Sequence, residues 1–372
     1  MIDSACFWAS EYKLGGFRFD LMGLHDLDTM DKLAANLHQN VSEYVTVYGE
    51  PWSGGTSTMS DSISAKQANL SKYGEYGCFN DKMRDGLIKG GLNSADKKGW
   101  ITATNFAKKT ILRSKFESLK GTIYVCNEDG SFTLVADDAE FDAFTTYYVL
   151  DPTKVASNMT DIINGISGRV LTTYSNDPSQ CVNYVTCHDN YTLYDRIKAT
   201  GTTHEGTIKD MAMLANSVVF TSQGISFMLA GEELLRTKNG NSNSYNASYE
   251  INELDYALKV KHLDMFANYQ KLIALKKSGT VFSLDKEACE ALNTAITVSE
   301  DSGMISYKIT SGSKEYYIVH ANGIMAEDTD RTVDLTGYSV YLDTIGTYEA
   351  GHTFDGSVVV GQYQSIIAYK NL

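Results

Sequence analysis

The sequence predicts an α/β fold: parallel βα units of the (β/α)8-barrel kind, followed by a small all-β sandwich. Three observations predict it. Short apolar runs alternate with amphipathic stretches over roughly the first 270 residues, the pattern of parallel βαβ units. Three of the five runs that read as strands end in a carboxylate, and in a barrel the C-terminal strand ends share one face. From about Lys277 the texture changes to short β-type runs separated by Gly, Ser and Asp, as in an antiparallel sandwich.

Each element has its own local reason. In "MIDSACFWASEYKL" (1–14), Ile2, Ala5, Cys6, Ala9 and Tyr12 recur at helical spacing, with Gly15 or Gly16 placed to stop the helix. "GFRFDLMGLHD" (16–26) reads as a strand with Phe17, Phe19 and Leu21 on one face and Gly16, Arg18 and Asp20 on the other. A helix over roughly 28–39 follows, with Leu33 and Leu37 in its apolar stripe. "EYVTVYGE" (43–50) is the second strand, and "YGEYGCFN" (73–80) the third, leading into the helical "DKMRDGLIKG". "QCVNYVTCHDN" (180–190) is the fourth, and "GISFMLAGEE" (224–233) the fifth, preceded by the helix "IKDMAMLANSVVFTS". Between the third and fourth strands, residues 100–155 read as an insertion holding a β-hairpin around Glu128-Asp129-Gly130. "AITVSE", "GMISYKIT", "KEYYIVHAN", "SVYLD", "SVVVG" and "QSIIAYK" are the sandwich strands. The expected division is therefore 1–276 and 277–372.

Composition narrows the function classes. The 372 residues are 43% hydrophobic and 21% charged, enough for a large core in one domain and a smaller second one. A net charge of -14 argues against nucleic acid or an anionic membrane as partner, because both attract Lys and Arg. Neutral sugars are indifferent to that field. No run of ~18 apolar residues occurs, and the N-terminus, with Asp3, lacks a basic-then-apolar pattern. The six cysteines show no CxxC spacing and read as small buried hydrophobes with free thiols. No GxGxxG or Walker-type loop follows any strand, which argues against dinucleotide and nucleotide chemistry.

Asp20, Glu50 and Asp189 stand at three strand ends. One such acid alone is more often a helix cap or a solvated loop residue. Three at equivalent strand ends converge on one face. Arg18, two residues before Asp20, faces the same side, and a guanidinium there keeps a carboxylate ionised, as a nucleophile needs. Glu50 precedes Pro51-Trp52, and a carboxyl beside apolar surface tends to hold its proton, as a general acid needs. Two carboxyls ~5–5.5 Å apart would form a retaining glycosidase pair.

"GFRFDLMGLHD", "YGEPWSGG", "CFNDKMRDGLIKG", "NYVTCHDNYTLYDRI" and "GEELLRTKNGNSNSYN" together resemble the type I pullulanases, a debranching branch of the α-amylase superfamily. The resemblance runs over most of residues 1–270, in order and with similar spacing apart from the insertion. It implies a retaining hydrolase of α-1,6-glucosidic linkages in pullulan, amylopectin or limit dextrins. It also implies Asp20 as nucleophile, Glu50 as acid/base and Asp189 as the third, transition-state-stabilising carboxylate. Arg18 and His188 match residues lining the subsite of the cleaved sugar. Trp52, Asn190, Asn243 and Tyr245 are weaker substrate-binding candidates, with Tyr191 beside them. Glu232 and Glu233 are supporting residues by the same match. The partner implied is an α-glucan. No organic cofactor is implied, and although a structural calcium is compatible with the superfamily, no EF-hand-like spacing appears.

Only strands four to eight of an α-amylase-type barrel have counterparts, so the chain is expected to be the C-terminal part of a longer protein. The superfamily's early Asp/His motif is absent, and Gly15-Gly16 stands where Asp-Gly is more usual. Two rival readings follow: an α-1,4-acting amylase-type relative, and a catalytically inactive fragment that at most binds glucan.

Overall fold

The structure, a computed structural model, describes residues 1–90, 97–129, 131–150, 159–279, 281–301 and 303–372. Helix α1 (Ile2–Tyr12) buries Ala5 and Ala9, one turn apart, against α2 (Leu27–Asn40). It stops at Lys13, which adopts a left-handed conformation (φ 57°), so neither Gly15 nor Gly16 serves as the expected stop. Between the two helices runs β1 (Gly16–Phe19), parallel to β2 (Thr46–Gly49) with Gly16 opposite Thr46 and Phe19 opposite Gly49. Asp26 caps α2 by accepting the Thr29 N–H at 2.8 Å. Met30, Leu33, Ala34 and Leu37 form the buried stripe of α2. Next come β3 (Gly77–Phe79) and α3 (Asp81–Ile88), capped by Asn80, which accepts the Met83 N–H at 3.2 Å.

A separate antiparallel sheet occupies the expected insertion. It contains β4 (Phe106–Lys109), α4 (Phe116–Leu119), β5 (Ile123–Cys126), β6 (Phe132–Leu134), α5 (Asp138–Asp142) and β7 (Tyr147–Leu150). Strand order is β4-β7-β5-β6, and Phe116, Ile123, Val125, Val135, Phe141 and Tyr147 form a small core of its own. The β5–β6 pair is the expected hairpin. Its Gly130, and residues 151–155 of the insertion, lie outside the described residues. Asn105 ties this region to a C-terminal loop, donating to the Met325 carbonyl at 2.7 Å and accepting the Met325 N–H at 3.1 Å.

The parallel sheet resumes after α6 (Met159–Ile166) with β8 (Cys181–Asn183), then α7 (Leu193–Ala199), α8 (Glu205–Phe220) and β9 (Ile225–Ser226). Its order is β1-β2-β3-β8-β9, parallel throughout. Every strand is shorter than its apolar run, and β9 shrinks to two residues at the sheet edge. One face packs on helices. Phe79, Val182 and Tyr184 on the other join Tyr48, Trp52 and Phe227 in an aromatic cluster, with Phe79–Tyr184 centroids 4.9 Å apart.

Helices α9 (Tyr249–Asn252), α10 (Ala257–Lys261), α11 (Leu263–Lys277) and α12 (Lys286–Ala295) lead to the antiparallel part. There β10 (Thr297–Ser299), β11 (Met304–Ser311), β12 (Lys314–Ala321), β13 (Thr332–Asp334), β14 (Ser339–Asp343), β15 (Ser357–Val359) and β16 (Gln364–Asn371) form a five-stranded sheet, β10-β11-β12-β16-β14, and the pair β13–β15. Helix α12, within the segment expected to be all-β, is capped by Asp285 and buries Cys289 and Leu292. All six cysteines are free; Cys78, Cys181 and Cys289 are buried, Cys6 and Cys187 half-buried, and Cys126 exposed. No helix among the described residues is long and apolar enough to cross a membrane.

Candidate active site

The C-terminal ends of β1 and β2 come close because Gly49 carries no side chain. A Cβ there would sit 2.7 Å from the Phe19 carbonyl oxygen and 2.8 Å from Met22 Cβ. Beyond Phe19 the strand does not continue. Leu21, expected on one face with Phe17 and Phe19, turns into the left-handed region (φ 45°, ψ 48°). That conformation is costly for a leucine and places its N–H on Glu50 Oε2 at 2.8 Å.

Arg18 lies on the aromatic face, its guanidinium 5.9 Å from the Phe79 ring centre. One of its amino groups donates to Asp20 Oδ1 and the other to Glu50 Oε1, each at 2.5 Å. The arginine expected to serve Asp20 therefore holds both acids. Glu50 is 4% exposed and fully engaged by Arg18 and the Leu21 N–H, rather than simply lying against Trp52. The Asp20 side chain is 69% exposed. Trp52 is half-buried in the aromatic cluster, and its carbonyl accepts the Gly23 N–H at 3.1 Å.

Asp189 and His188 follow β8 on an exposed loop, with His188 Nε2 3.7 Å from Asp189 Oδ2. Asn190 beside them is left-handed, φ 66°. Tyr191 lines a cavity of about 420 Å³ with Tyr194, Asp195 and Lys198. Asn243 is exposed, its N–H donating to Asn241 Oδ1 at 2.9 Å, and Tyr245 is 82% exposed. Among the described residues no hydrogen bond, ion pair or ring contact joins Asn243 or Tyr245 to the three acids. No cluster of three or more His, Cys, Asp or Glu side chains among the described residues could hold a metal ion.

Glu232, a supporting residue by its place in the sequence, has definite buried partners in the structure. Burial pushes its carboxyl up to about 7, against the lowering effect of hydrogen bonds from Thr186 and Asn216. The sequence signal was its place after an apolar strand; the Thr186 and Asn216 partners, 46 and 16 residues away, were not legible.

Parallel βα units, with Asp20 and Glu50 held on Arg18 beyond the ends of β1 and β2, followed by an antiparallel β part, define an α/β chain of half-barrel type. Pullulanases are among its relatives in sequence and in fold. The chain is 27% identical over 288 residues to the pullulanase of Bacillus subtilis (strain 168), a match covering 77% of this chain and 33% of that protein. The pullulanase from Bacillus acidopullulyticus superposes with a TM-score of 0.73 at 28% identity, over 99% of this chain and 39% of that one. The pullulanase from Paenibacillus barengoltzii in complex with maltohexaose and alpha-cyclodextrin gives 0.70 at 25% identity, over 100% and 50%. No family model matches the sequence. The chain spans about a third of the length of the curated relatives it matches.

Proposed function

We propose that this chain carries the catalytic acids of a retaining glycoside hydrolase that cleaves α-1,6-glucosidic linkages in pullulan, amylopectin or limit dextrins. The observation that carries the reading is Arg18, which holds the Asp20 and Glu50 carboxylates on one guanidinium. Two acids on one guanidinium suit the ~5–5.5 Å spacing of a retaining pair. In this reading Glu50 gives its proton to the glycosidic oxygen while Asp20 attacks the anomeric carbon, and the bond to the leaving alcohol breaks. Glu50, now a base, takes a proton from water, whose oxygen displaces Asp20 and frees the sugar. Asp189 stabilises the positive charge that develops on the sugar, and His188 and Arg18 bind it. Trp52, Asn190, Asn243 and Tyr245 are the outer contacts with the glucan.

The same reading takes the parallel sheet as strands four to eight of an α-amylase-type (β/α)8 barrel. Residues 1–276 form the barrel part with an insertion at about 100–155, and 277–372 form the sandwich. The likeness to pullulanases in sequence and fold supports it. One observation favours a second reading, a glucan-binding piece without turnover: the side chains of Asp20 and Asp189 are 69% and 59% exposed, where retaining chemistry works best away from water.

Incubation of the purified chain with pullulan, with Glu50→Gln as the blank, separates the two. Maltotriose released only when Glu50 is present supports hydrolysis by this chain. No release, with release from a version extended upstream, supports the second reading. Silence from both removes the hydrolase reading.

A further inference from the structure

The loop that carries His188, Asp189 and Asn190 has little backbone support. Among the described residues, 187–190 belong to no strand or helix and make no backbone–backbone hydrogen bond. Yet the loop is fixed at both ends by a threonine that meets a buried carboxylate.

At its start, the Thr186 hydroxyl donates to Glu232 Oε1, and Asn216 Nδ2 donates to Glu232 Oε2 at 2.9 Å. Asn216 also donates to the Tyr269 hydroxyl at 2.7 Å, which anchors the group to α8 and α11. At its end, the Thr192 hydroxyl donates to Asp195 Oδ2 at 2.9 Å. Asp195 in turn accepts the Thr237 hydroxyl at 2.6 Å and the Lys238 N–H at 2.7 Å. All four threonine and carboxylate groups at the loop ends are buried. The first tie runs to the segment 232–238, which follows β9; the second, part of the Thr192 cap of α7, reaches the same segment through Asp195.

We propose that Glu232 and Asp195 are positioning residues for the Asp189 loop, holding Thr186 and Thr192 so that Asp189 faces the Arg18 site. This rests on the reading of Asp189 as the third carboxylate. Inside the loop, among the described residues, only Cys187 is held, its Sγ donating to the Asp189 carbonyl at 3.9 Å and its side chain packing on the aromatic cluster. The rest of the loop takes its place from its end contacts, where a buried hydrogen bond between hydroxyl and carboxyl is worth more than an exposed one. Neither carboxylate touches substrate in this scheme; each acts through a threonine.

Cys187 lies inside the loop, half-buried, and reports on it directly. In a Cys6→Ser, Cys126→Ser background its rate of reaction with an aromatic disulfide reagent is measured, with buried Cys289 as the internal control. Thr186→Val, which keeps the shape and removes the hydroxyl, is expected to speed Cys187 labelling about tenfold, the effect of losing one buried hydrogen bond. Thr237→Val is expected to do the same from the other end. Thr186→Ser, which keeps the hydroxyl, restores the slow rate, and Cys289 stays protected in all three. Unchanged Cys187 labelling in both valine variants overturns the proposal, and so does labelling of Cys187 and Cys289 together, which marks general loosening. If the chain hydrolyses pullulan, Thr186→Val is further expected to lower kcat with KM little changed. If it does not, the labelling still decides the clamp, so the two readings fail separately.

Discussion

His320 is a buried histidine that joins two parts of the molecule. It lies on β12, wholly inaccessible, with Nδ1 2.8 Å from the Ser365 hydroxyl on β16 and Nε2 3.1 Å from the Thr221 hydroxyl at the end of α8. The Tyr307 hydroxyl is 3.4 Å from the same nitrogen and donates to the Thr221 carbonyl at 2.8 Å. Among the described residues no carboxylate balances a charge there, and burial pulls the ring down from 6.5 to about 3. Above pH 6.5 the ring is neutral in folded and unfolded chains alike, so it costs nothing. Below that the unfolded chain gains a proton that the folded chain refuses, and stability falls with pH until about pH 3. From 6.5 down to pH 4, at ~1.36 kcal/mol per unit, the loss is about 3 kcal/mol. His320→Gln keeps a donor and an acceptor without a titration in this range. Urea unfolding at pH 7 and pH 4 on both proteins reads the difference, because all other acid-sensitive groups are shared. The variant is expected to lose about 3 kcal/mol less than the parent between the two pH values. Parallel losses, equal within about 0.5 kcal/mol, would refute the argument.

Two further perturbations test the packing and the burial of charge. A Cβ at Gly165, in α6, would lie 2.3 Å from Met83 Sδ and 2.8 Å from Met83 Cβ, so Gly165→Ala is expected to destabilise by about 1–2 kcal/mol despite its better helix propensity; a raised melting midpoint would contradict it. Burial pulls the Lys276 ammonium down to about 7, with a backbone carbonyl, that of Ser222, as its hydrogen-bond acceptor. Below pH 7 both states are charged and the folded one carries the burial cost; between pH 7 and 10.5 the unfolded chain holds the extra proton, so stability rises with pH. Lys276→Met is expected to add about 2 kcal/mol at pH 7 and to flatten that rise, as differential scanning calorimetry at pH 7 and 9.5 would register.

Local order was largely legible because it is written in neighbouring residues. Alternation at 46–49 and 304–311 needs only the period of a strand, and the stripe of Met30, Leu33 and Leu37 only that of a helix. The acids at 20, 50 and 189 could be singled out because each closes an apolar run. Helix α12 was missed although Asp285 and the spacing of Cys289 and Leu292 are ordinary start and stripe signals; the β-rich surroundings masked them. The Lys13 stop was missed because glycine is the commoner left-handed residue and two stood nearby.

The sequence by itself determined the order of the five parallel strands, the change to antiparallel strands near the C-terminus, and which acids stand at strand ends. Tertiary structure alone decided what those acids touch. Arg18 reaches Glu50 across 32 residues of chain, and Thr186 reaches Glu232 across 46. Strand and helix periods are short-range, set by backbone geometry within a few residues. A bond across tens of residues forms only when the whole sheet has brought its strand ends together.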